Sequence, residues 1–262
     1  MKINAIVMAG DVLKPGDLLY EHAKETSKSM IIIAGKTLLQ WVIEALDESE
    51  RIDSIIVVGL KPIEGIGSKK PLYYIKNNGS MLDNILVGSD KSLELNPERE
   101  YVMLVSSDTP KIKGEMADWF FDVAMETRDD FYYGVCSREM MESKFPTSNR
   151  TYVKLRDMEV CGSDIGIINI KVVREHMPIW EALIGKRKTP LRQAALIGIG
   201  TLIGVLFKSY TLEGLAKKVS RRIGIKARAI VWNCPEPCMD IDKPHQLDIL
   251  KDIIETNHSD FL

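Results

Sequence analysis

The sequence predicts an α/β fold of three layers, in which helices cover both faces of a mostly parallel central sheet. Three short runs, residues 5–9, 55–58 and 101–105, are apolar throughout, as is typical of strands buried on both faces. Helical apolar spacing lies between them, and this alternation favours parallel pairing through right-handed crossovers. The 262 residues suffice for one large domain and are few for two.

The first half of the chain alternates regularly between predicted strands and helices. Residues 5–9 form the first predicted strand, and a polar stretch from Gly10 to Ser29 follows, which is too long for a turn and is typical of a functional loop. Residues 30–33 are a short β-prone run. The remaining elements are a helix carrying Leu38, Leu39, Val42, Ile43 and Leu46, a strand at 55–58, a loop at 61–70, a helix at 84–95, a strand at 101–105 and a helix around Trp119.

The second half is less regular. Strands are predicted over 132–136, 165–170 and 227–232, and helices over 189–207, 212–219 and 245–255. We find no repeat, low-complexity run or linker, so residues 1–262 are interpreted as a single domain.

Composition excludes some classes of function and favours a cytoplasmic protein. The formal charge of −2 argues against nucleic-acid binding, which needs a cationic excess. Four scattered cysteines do not make a disulfide framework, and no second pair or suitably spaced histidine completes a zinc site. The N-terminal run MKINAIVMAGD reads as a strand rather than a signal peptide.

One apolar segment, residues 194–207 (AALIGIGTLIGVLF), could suggest a membrane protein. It is shorter than the ~20 apolar residues of a membrane-spanning helix, so no transmembrane segment is predicted. A buried helix or an apolar lip beside a site is the preferred interpretation. A shallow peripheral membrane contact is the alternative, because four basic residues precede the segment: Lys186, Arg187, Lys188 and Arg192. The apolar helices of this half allow a homodimer without requiring one.

Asp108 is the strongest single candidate for a catalytic residue. It follows a buried strand and stands before Pro110, so its carboxylate is expected at the carboxyl edge of the sheet, where sites of such folds lie. A carboxylate placed there can bind Mg²⁺, which prefers one or two protein carboxylates together with phosphate oxygens. An equally weighted alternative is that Asp108 caps the helix that follows Pro110.

Asp240 and Asp242 form a DxD pair before Pro244 and the final helix. Residues two apart in an extended segment face the same way, so both could approach one cation together with Asp108. Helix capping by Asp242 is again the alternative.

Lys28, at the end of the polar loop, could stabilise the negative charge that develops on phosphates during group transfer. Lys14 and Lys24 are alternatives in the same loop, and each could simply be solvated. Gly10 and Gly16 free the backbone to approach a phosphate or base, but the loop matches neither a P-loop nor a Rossmann fingerprint. The four histidines form no metal-binding pair.

Five segments together resemble a known family. They are AIVMAG, SKSMIIIAGKTLLQWVIEAL, IIVVG, VMLVSSDTP and MDIDKPHQLD, in this order. They resemble the MobA-like NTP transferases, which are nucleotidyltransferases similar to molybdenum-cofactor guanylyltransferase with a glycosyltransferase-A-like fold. The resemblance covers residues 1–125 and the final strand–helix unit. It implies a nucleotide-binding half at 1–125 and an acceptor-binding half at 126–262, closed by the DxD segment.

The resemblance also implies roles for individual residues. Ala9 and Gly10 would wrap the nucleotide, while Lys28 and Asp108 would be catalytic, the lysine on the phosphates and the aspartate on the metal. The other implied contacts are Gly79 and Ser80 near the base, Asp242 as second metal ligand with Asp240 as alternative, and Gly162, Ser163 and Asp164 at the acceptor.

The sequence departs from the family pattern in its glycine-rich loop. Asp11 stands where a second glycine is usual, and the loop arginine is missing, so phosphate binding would depend on Lys28 and Lys14. Asp164 stands where relatives have asparagine.

The leading hypothesis is therefore Mg²⁺-dependent transfer of a nucleotidyl group from an NTP to a small phosphorylated acceptor, with a lipid-like phosphate as one option. The alternatives are a nucleotide-sugar glycosyltransferase on the same fold and a weakly active or inactive nucleotide-binding scaffold.

Overall fold

The computed structural model describes residues 1–23, 26–185 and 198–259. Its strands are β1 (Ile3–Met8), β2 (Ile32–Ile33), β3 (Lys36–Thr37), β4 (Ile52–Gly59), β5 (Leu72–Lys76), β6 (Tyr101–Ser106), β7 (Phe131–Ser137), β8 (Val153–Lys154), β9 (Glu159–Asn169) and β10 (Ala227–Val231). Its described helices are α1 (Tyr20–Ala23), α2 (Leu38–Glu48), α3 (Met81–Leu95), α4 (Gly114–Met125), α5 (Arg138–Lys144), α6 (Ile170–Glu175), α7 (Met177–Gly185), α8 (Ile199–Leu206), α9 (Leu212–Ile223) and α10 (Pro244–Ser259). Two 3₁₀ turns span Lys28–Met30 and Glu236–Cys238.

One large sheet contains strands from both halves of the chain. Its order is β10-β7-β9-β6-β1-β4-β5, and β8 pairs with β9 outside this path. β1 runs parallel to β4 and β6, β4 to β5, and β7 to β10, whereas β9 is antiparallel to its neighbours β6 and β7. The predicted α/β class with a mostly parallel sheet is thus confirmed.

Apolar residues of β1 alternate between the two faces of the sheet, which explains the three layers. Ala5 and Val7 pack into a core with Val42 of α2 and Phe120 of α4. Ile6 faces the other way, into a second core that includes Ile85 of α3. Because both faces are covered, the central strands are apolar at nearly every position, as the sequence shows.

The structure differs from the predicted elements at several points. β5 was not predicted, because its residues are only half buried at the sheet edge and carry no clear apolar alternation. β9 begins at Glu159 rather than at residue 165. Residues 30–33 form the end of a 3₁₀ turn and the two-residue strand β2. Of the helix predicted over 189–207, α8 is observed, while residues 186–197 lie outside the described residues.

The interpretation of the apolar segment as a buried helix is wrong for the part that the structure describes. Ile203, Leu206 and Phe207 are 50%, 78% and 74% exposed. Within the described ranges, no helix has both the length and the apolar character needed to span a membrane.

Gly59 allows the end of β4 to lie directly against the chain that leaves β1. Its φ is +118°, and an added Cβ would stand 2.3 Å from the Cα and N atoms of Gly10. The Ala9 N–H donates to the Val58 carbonyl at 2.8 Å, so this contact also fixes the direction of the polar loop. A side chain at Gly59 would therefore displace the chain at the site.

We expect Gly59→Ala to lower the free energy of unfolding by about 3 kcal/mol, because it combines a positive φ with a backbone clash. Gly65→Ala is the matched control: its φ is also positive, at +83°, but open space surrounds the added Cβ. Urea unfolding should show the control losing only about 1 kcal/mol. Equal losses in the two variants would contradict the close approach at Gly59.

Candidate active site

The site forms where β1 and β6 end side by side. These parallel strands pair Met8 with Ser106, and the Ser107 N–H donates to the Met8 carbonyl at 3.2 Å. Gly10 and Asp108 consequently leave the sheet at the same edge, where parallel α/β sheets place their ligands.

The polar loop returns to this edge and is held there by two hydrogen bonds. The Ser27 hydroxyl donates to the Ala9 carbonyl at 2.6 Å, and the Lys28 N–H donates to the Asp11 carbonyl at 2.8 Å. Ser27 also caps the 3₁₀ turn by accepting from the Ser29 N–H. The backbone of Lys28 is thereby fixed beside the end of β1.

The Lys28 ammonium lies between two carboxylates. It pairs with Asp108 and, at 3.0 Å, with Asp242, and its side chain is 11% exposed. Burial opposes its charge, but the attraction of the two carboxylates outweighs burial, so the pKa of Lys28 lies above that of a free lysine. Lys28 is therefore fully protonated across the physiological range.

A backbone bond joins the two distant segments that carry the acidic residues. The Ile241 N–H donates to the Asp108 carbonyl at 3.2 Å, so Asp240 and Asp242, which flank Ile241, lie beside Asp108. The Gln246 side chain accepts from the Asp242 N–H at 2.9 Å and fixes the start of α10. One carboxylate oxygen from each aspartate lies within 4.8 Å of the others, the only such metal-binding group of three among the described residues.

Arg150 is part of the site although the sequence did not single it out. Its guanidinium pairs with Asp240 and donates to the Gly162 carbonyl at 3.2 Å. Burial, and after it the charge of Asp164, raises the pKa of Asp240 well above its usual value, while Arg150 acts in the opposite direction. Arg150 thus favours the ionised form of Asp240 against burial and its acidic neighbours.

Of the three residues predicted to contact the acceptor, two face the site. Asp164 is exposed, but desolvation of its carboxyl group and, after it, the nearby charge of Asp108 raise its pKa to about 6. Gly162 lies on the same face of β9, where an added Cβ would stand 2.0 Å from the Tyr133 hydroxyl. Ser163 is buried on the opposite face, and its hydroxyl donates to the Ile165 carbonyl in its own strand.

Two asparagines connect Gly10 with the turn before α3. Asn77 follows the unpredicted β5 and donates to the Gly10 carbonyl at 3.2 Å, while its own amide oxygen accepts from the Gly79 N–H at 3.0 Å. Asn84 donates to Asn77 at 3.2 Å. Ser80 caps α3 through a reciprocal bond with Asp83, so its hydroxyl is engaged in the capping box.

The remaining loop residues are placed as follows. Asp11 is exposed, and its carbonyl accepts the bond from the Lys28 N–H. Lys14 is exposed, and its N–H donates to the Asp17 carboxylate at 2.6 Å. Lys24 lies outside the described residues. Gly16 has a φ of +98° in open space.

The site thus collects more acidic than basic groups. Four carboxyl groups, those of Asp108, Asp164, Asp240 and Asp242, lie with two cations, Lys28 and Arg150. Such an excess of oxygen ligands suits a hard divalent cation, and the spacing of the three aspartates fits one.

Residues 23–193, which are more than half of the chain, match the model of the MobA-like NTP transferase domain family. The chain belongs to this family. It is therefore a nucleotidyltransferase, as the resemblance predicted. Gly10 and the two aspartates of the DxD segment lie outside the matched range, so their inclusion in the site rests on the geometry above.

Solved structures agree with this MobA-like NTP transferase domain in fold. A hypothetical transferase from Thermus thermophilus has a TM-score of 0.81 at 25% identity, covering 94% of this chain and 100% of its own. A CMP:2-keto-3-deoxy-manno-octonic acid synthetase complexed with CTP has a TM-score of 0.62 at 12% identity, covering 98% and 100%. A cytidylyltransferase from Leptospira borgpetersenii has a TM-score of 0.54 at 13% identity, covering 99% and 96%. No curated protein sequence matches the chain.

In this MobA-like domain, we expect Arg150→Met to lower the free energy of unfolding by about 3 kcal/mol, because Asp240 loses its buried partner. The double variant Arg150→Met/Asp240→Asn should recover most of that loss, since the remaining amide is neutral. Urea unfolding at pH 7 measures both. Arg174→Met, which breaks an exposed pair with Asp90, is the control and should change stability little. A double variant as unstable as the single one would contradict the pairing.

The raised pKa of Asp164 predicts a stabilising substitution whose effect depends on pH. Above pH 4 the unfolded chain carries an ionised Asp164, whereas the folded chain resists ionisation until about pH 6. Asp164 therefore lowers stability progressively as pH rises from 4 to 6. Asp164→Asn should raise the thermal midpoint at pH 7 and leave it unchanged at pH 3.5. An equal gain at both pH values would show that ionisation of Asp164 is not the cause.

Proposed function

We propose that the chain transfers a nucleotidyl group from an NTP to a small phosphorylated acceptor, with Mg²⁺ as cofactor and release of pyrophosphate. The observation that carries the proposal is the group formed by Asp108, Asp240 and Asp242 with the Lys28 ammonium beside it. Membership of the NTP transferase family supports the type of reaction.

Asp108 and Asp242 are the proposed metal ligands, with Asp240 as the alternative because Arg150 already pairs with it. When bound there, Mg²⁺ would neutralise charge on the triphosphate. The donor set fits this ion, since all three residues offer carboxylate oxygens.

Lys28 is the proposed phosphate-binding residue. Asp11 and Ser27 fix its backbone, so the ammonium lies at the sheet edge and loses little conformational entropy when it binds a phosphate. A fixed cation stabilises charge that develops on the transferred phosphate and the pyrophosphate leaving group. Little covalent chemistry then falls to the protein, and positioning carries the rate.

The two halves of the chain divide the substrates in this proposal. Residues 1–125 would hold the nucleotide, with Ala9 and Gly10 at the phosphates and Gly79 beside the base, where Asn77 and Asn84 order the turn. Lys14 remains a candidate for a phosphate contact. Residues 126–262 would hold the acceptor against Gly162 and Asp164.

The four cysteines are free of disulfide bonds, and this supports the proposal of a cytoplasmic location.

The first test is thermal unfolding with each NTP, with and without Mg²⁺. We expect one NTP with Mg²⁺ at about 100 times its dissociation constant to raise the midpoint by about 5 °C. Asp108→Asn should abolish the shift, because it removes a metal ligand at nearly constant volume. Asp122→Asn, which alters an exposed pair with Arg51, should retain it.

The second test measures pyrophosphate release from the selected NTP with a panel of phosphorylated acceptors. Release that needs both Mg²⁺ and an acceptor would distinguish nucleotidyl transfer from glycosyl transfer, which consumes no triphosphate. Binding without release for every acceptor would favour the scaffold alternative, whose support is the altered glycine loop with Asp11. No binding of any NTP would overturn the proposal.

A further inference from the structure

The exposed side of α8 carries an apolar stripe that none of the described elements covers. Ile203, Leu206 and Phe207 stand at positions i, i+3 and i+4, so they share one face of the helix. The opposite face is buried through Thr201 and Gly204. Among the described residues, the stripe is therefore the outer face of a helix that packs on the protein through its other face.

α8 packs closely against neighbouring elements of the protein. A Cβ on Gly204 would stand 2.2 Å from the Tyr210 ring, so helix and ring touch closely, and α8 also contacts β8. The Arg156 N–H donates to the Tyr210 carbonyl at 2.9 Å, which ties the chain after α8 to the turn between β8 and β9. Val153 of β8, the strand that α8 contacts, is itself 45% exposed.

Cations surround this surface in excess. Lys154, Arg156, Lys208 and Lys218 are exposed around it, with Lys218 4.8 Å above the Tyr210 ring centroid. The nearby carboxylates are Asp157, which accepts from the Leu212 N–H, and Glu159, which faces both Lys154 and Lys208. Four cations against two carboxylates leave an excess of two positive charges, in a chain whose formal charge is −2.

We infer that the stripe of α8 and its cationic border dock the protein on an anionic lipid surface. Exposed large apolar side chains bordered by Lys and Arg are the combination by which interfacial helices insert among headgroups and attract negative lipids. A second copy of this chain fits less well. A two-fold interface would place this surface of one copy against the same surface of the other, and the two excesses of positive charge would repel.

The position of this surface adds a functional reason. Val153 lies three residues from Arg150, at most about 11 Å along the chain. Arg150 in turn contacts Asp240 and Gly162 on the proposed acceptor side of the cleft. A bilayer bound at the stripe would lie close to that side, so an acceptor phosphate carried on a lipid could reach the cleft. This last step rests on the proposed function, whereas the docking itself does not.

Sedimentation with vesicles tests the docking on the full chain. One set of vesicles contains phosphatidylcholine alone, and the other contains about 30 mol % phosphatidylglycerol. We expect binding to the anionic vesicles only, weakened by added salt, since screening reduces the electrostatic part. Binding that ignores lipid charge, or no binding at low salt, would overturn the inference.

Two variants and one control identify the surface. Leu206→Ser/Phe207→Ser should lower the partition coefficient by about tenfold or more, because two apolar groups are lost from the insertion. Lys154→Glu/Lys208→Glu should have a similar effect through charge. Ile32→Ser, at a 61% exposed apolar residue of β2, should retain binding. If the first two variants bind like the unmodified chain, the inference fails.

Analytical ultracentrifugation without lipid completes the design. A dimer that dissociates in Leu206→Ser/Phe207→Ser would reassign the stripe to self-association and overturn the lipid inference. A monomer supports it. Because vesicle binding needs no NTP, it can hold when pyrophosphate release fails, and the two proposals are tested separately.

Discussion

Four carboxylates at one edge of the sheet are the constraint on which the rest of this site depends. Like charges at such distances destabilise a fold unless cations stand among them. Lys28 supplies one cation and Arg150 the other, and each reaches the cluster from an irregular segment. We therefore expect the polar loop and the segment before β8 to stabilise the folded state, in addition to the substrate binding proposed for them.

The two cations have different positions and therefore different consequences. Arg150 is paired with Asp240 and bonded to a backbone carbonyl, which fixes it as a structural partner. Lys28 lies between Asp108 and Asp242, the two carboxylates best placed for a metal. A divalent ion at those carboxylates would replace the charge compensation that Lys28 provides and leave its ammonium available to phosphates. The arrangement links metal binding to the position of the lysine through charge alone.

The sequence predicted those features of the fold and the site that depend on local residue patterns and on the order of the strands. Apolar strands fixed the layers, and the chain order of strands placed Gly10 and Asp108 at one edge. Arg150 could not be found in this way, because its partner Asp240 lies 90 residues away and nothing local marks the pairing. Asn77 was missed because β5, which positions it, lies at the half-buried edge of the sheet, where apolar alternation is weak. Resemblance named Ser163, but the alternation of β9 turns its side chain away from the cleft.

In the altered glycine loop, backbone carbonyl groups accept the hydrogen bonds that position Lys28. The side chain of Asp11 is exposed, and its carbonyl holds the Lys28 N–H, a bond that any residue at this position can accept. The Ser27 hydroxyl on the Ala9 carbonyl fixes the return of the loop from the other side. Loss of the second glycine is therefore compatible with an intact position for Lys28. Loss of the arginine is different, because no backbone bond replaces a charge, and the proposed phosphate binding would depend all the more on Lys28.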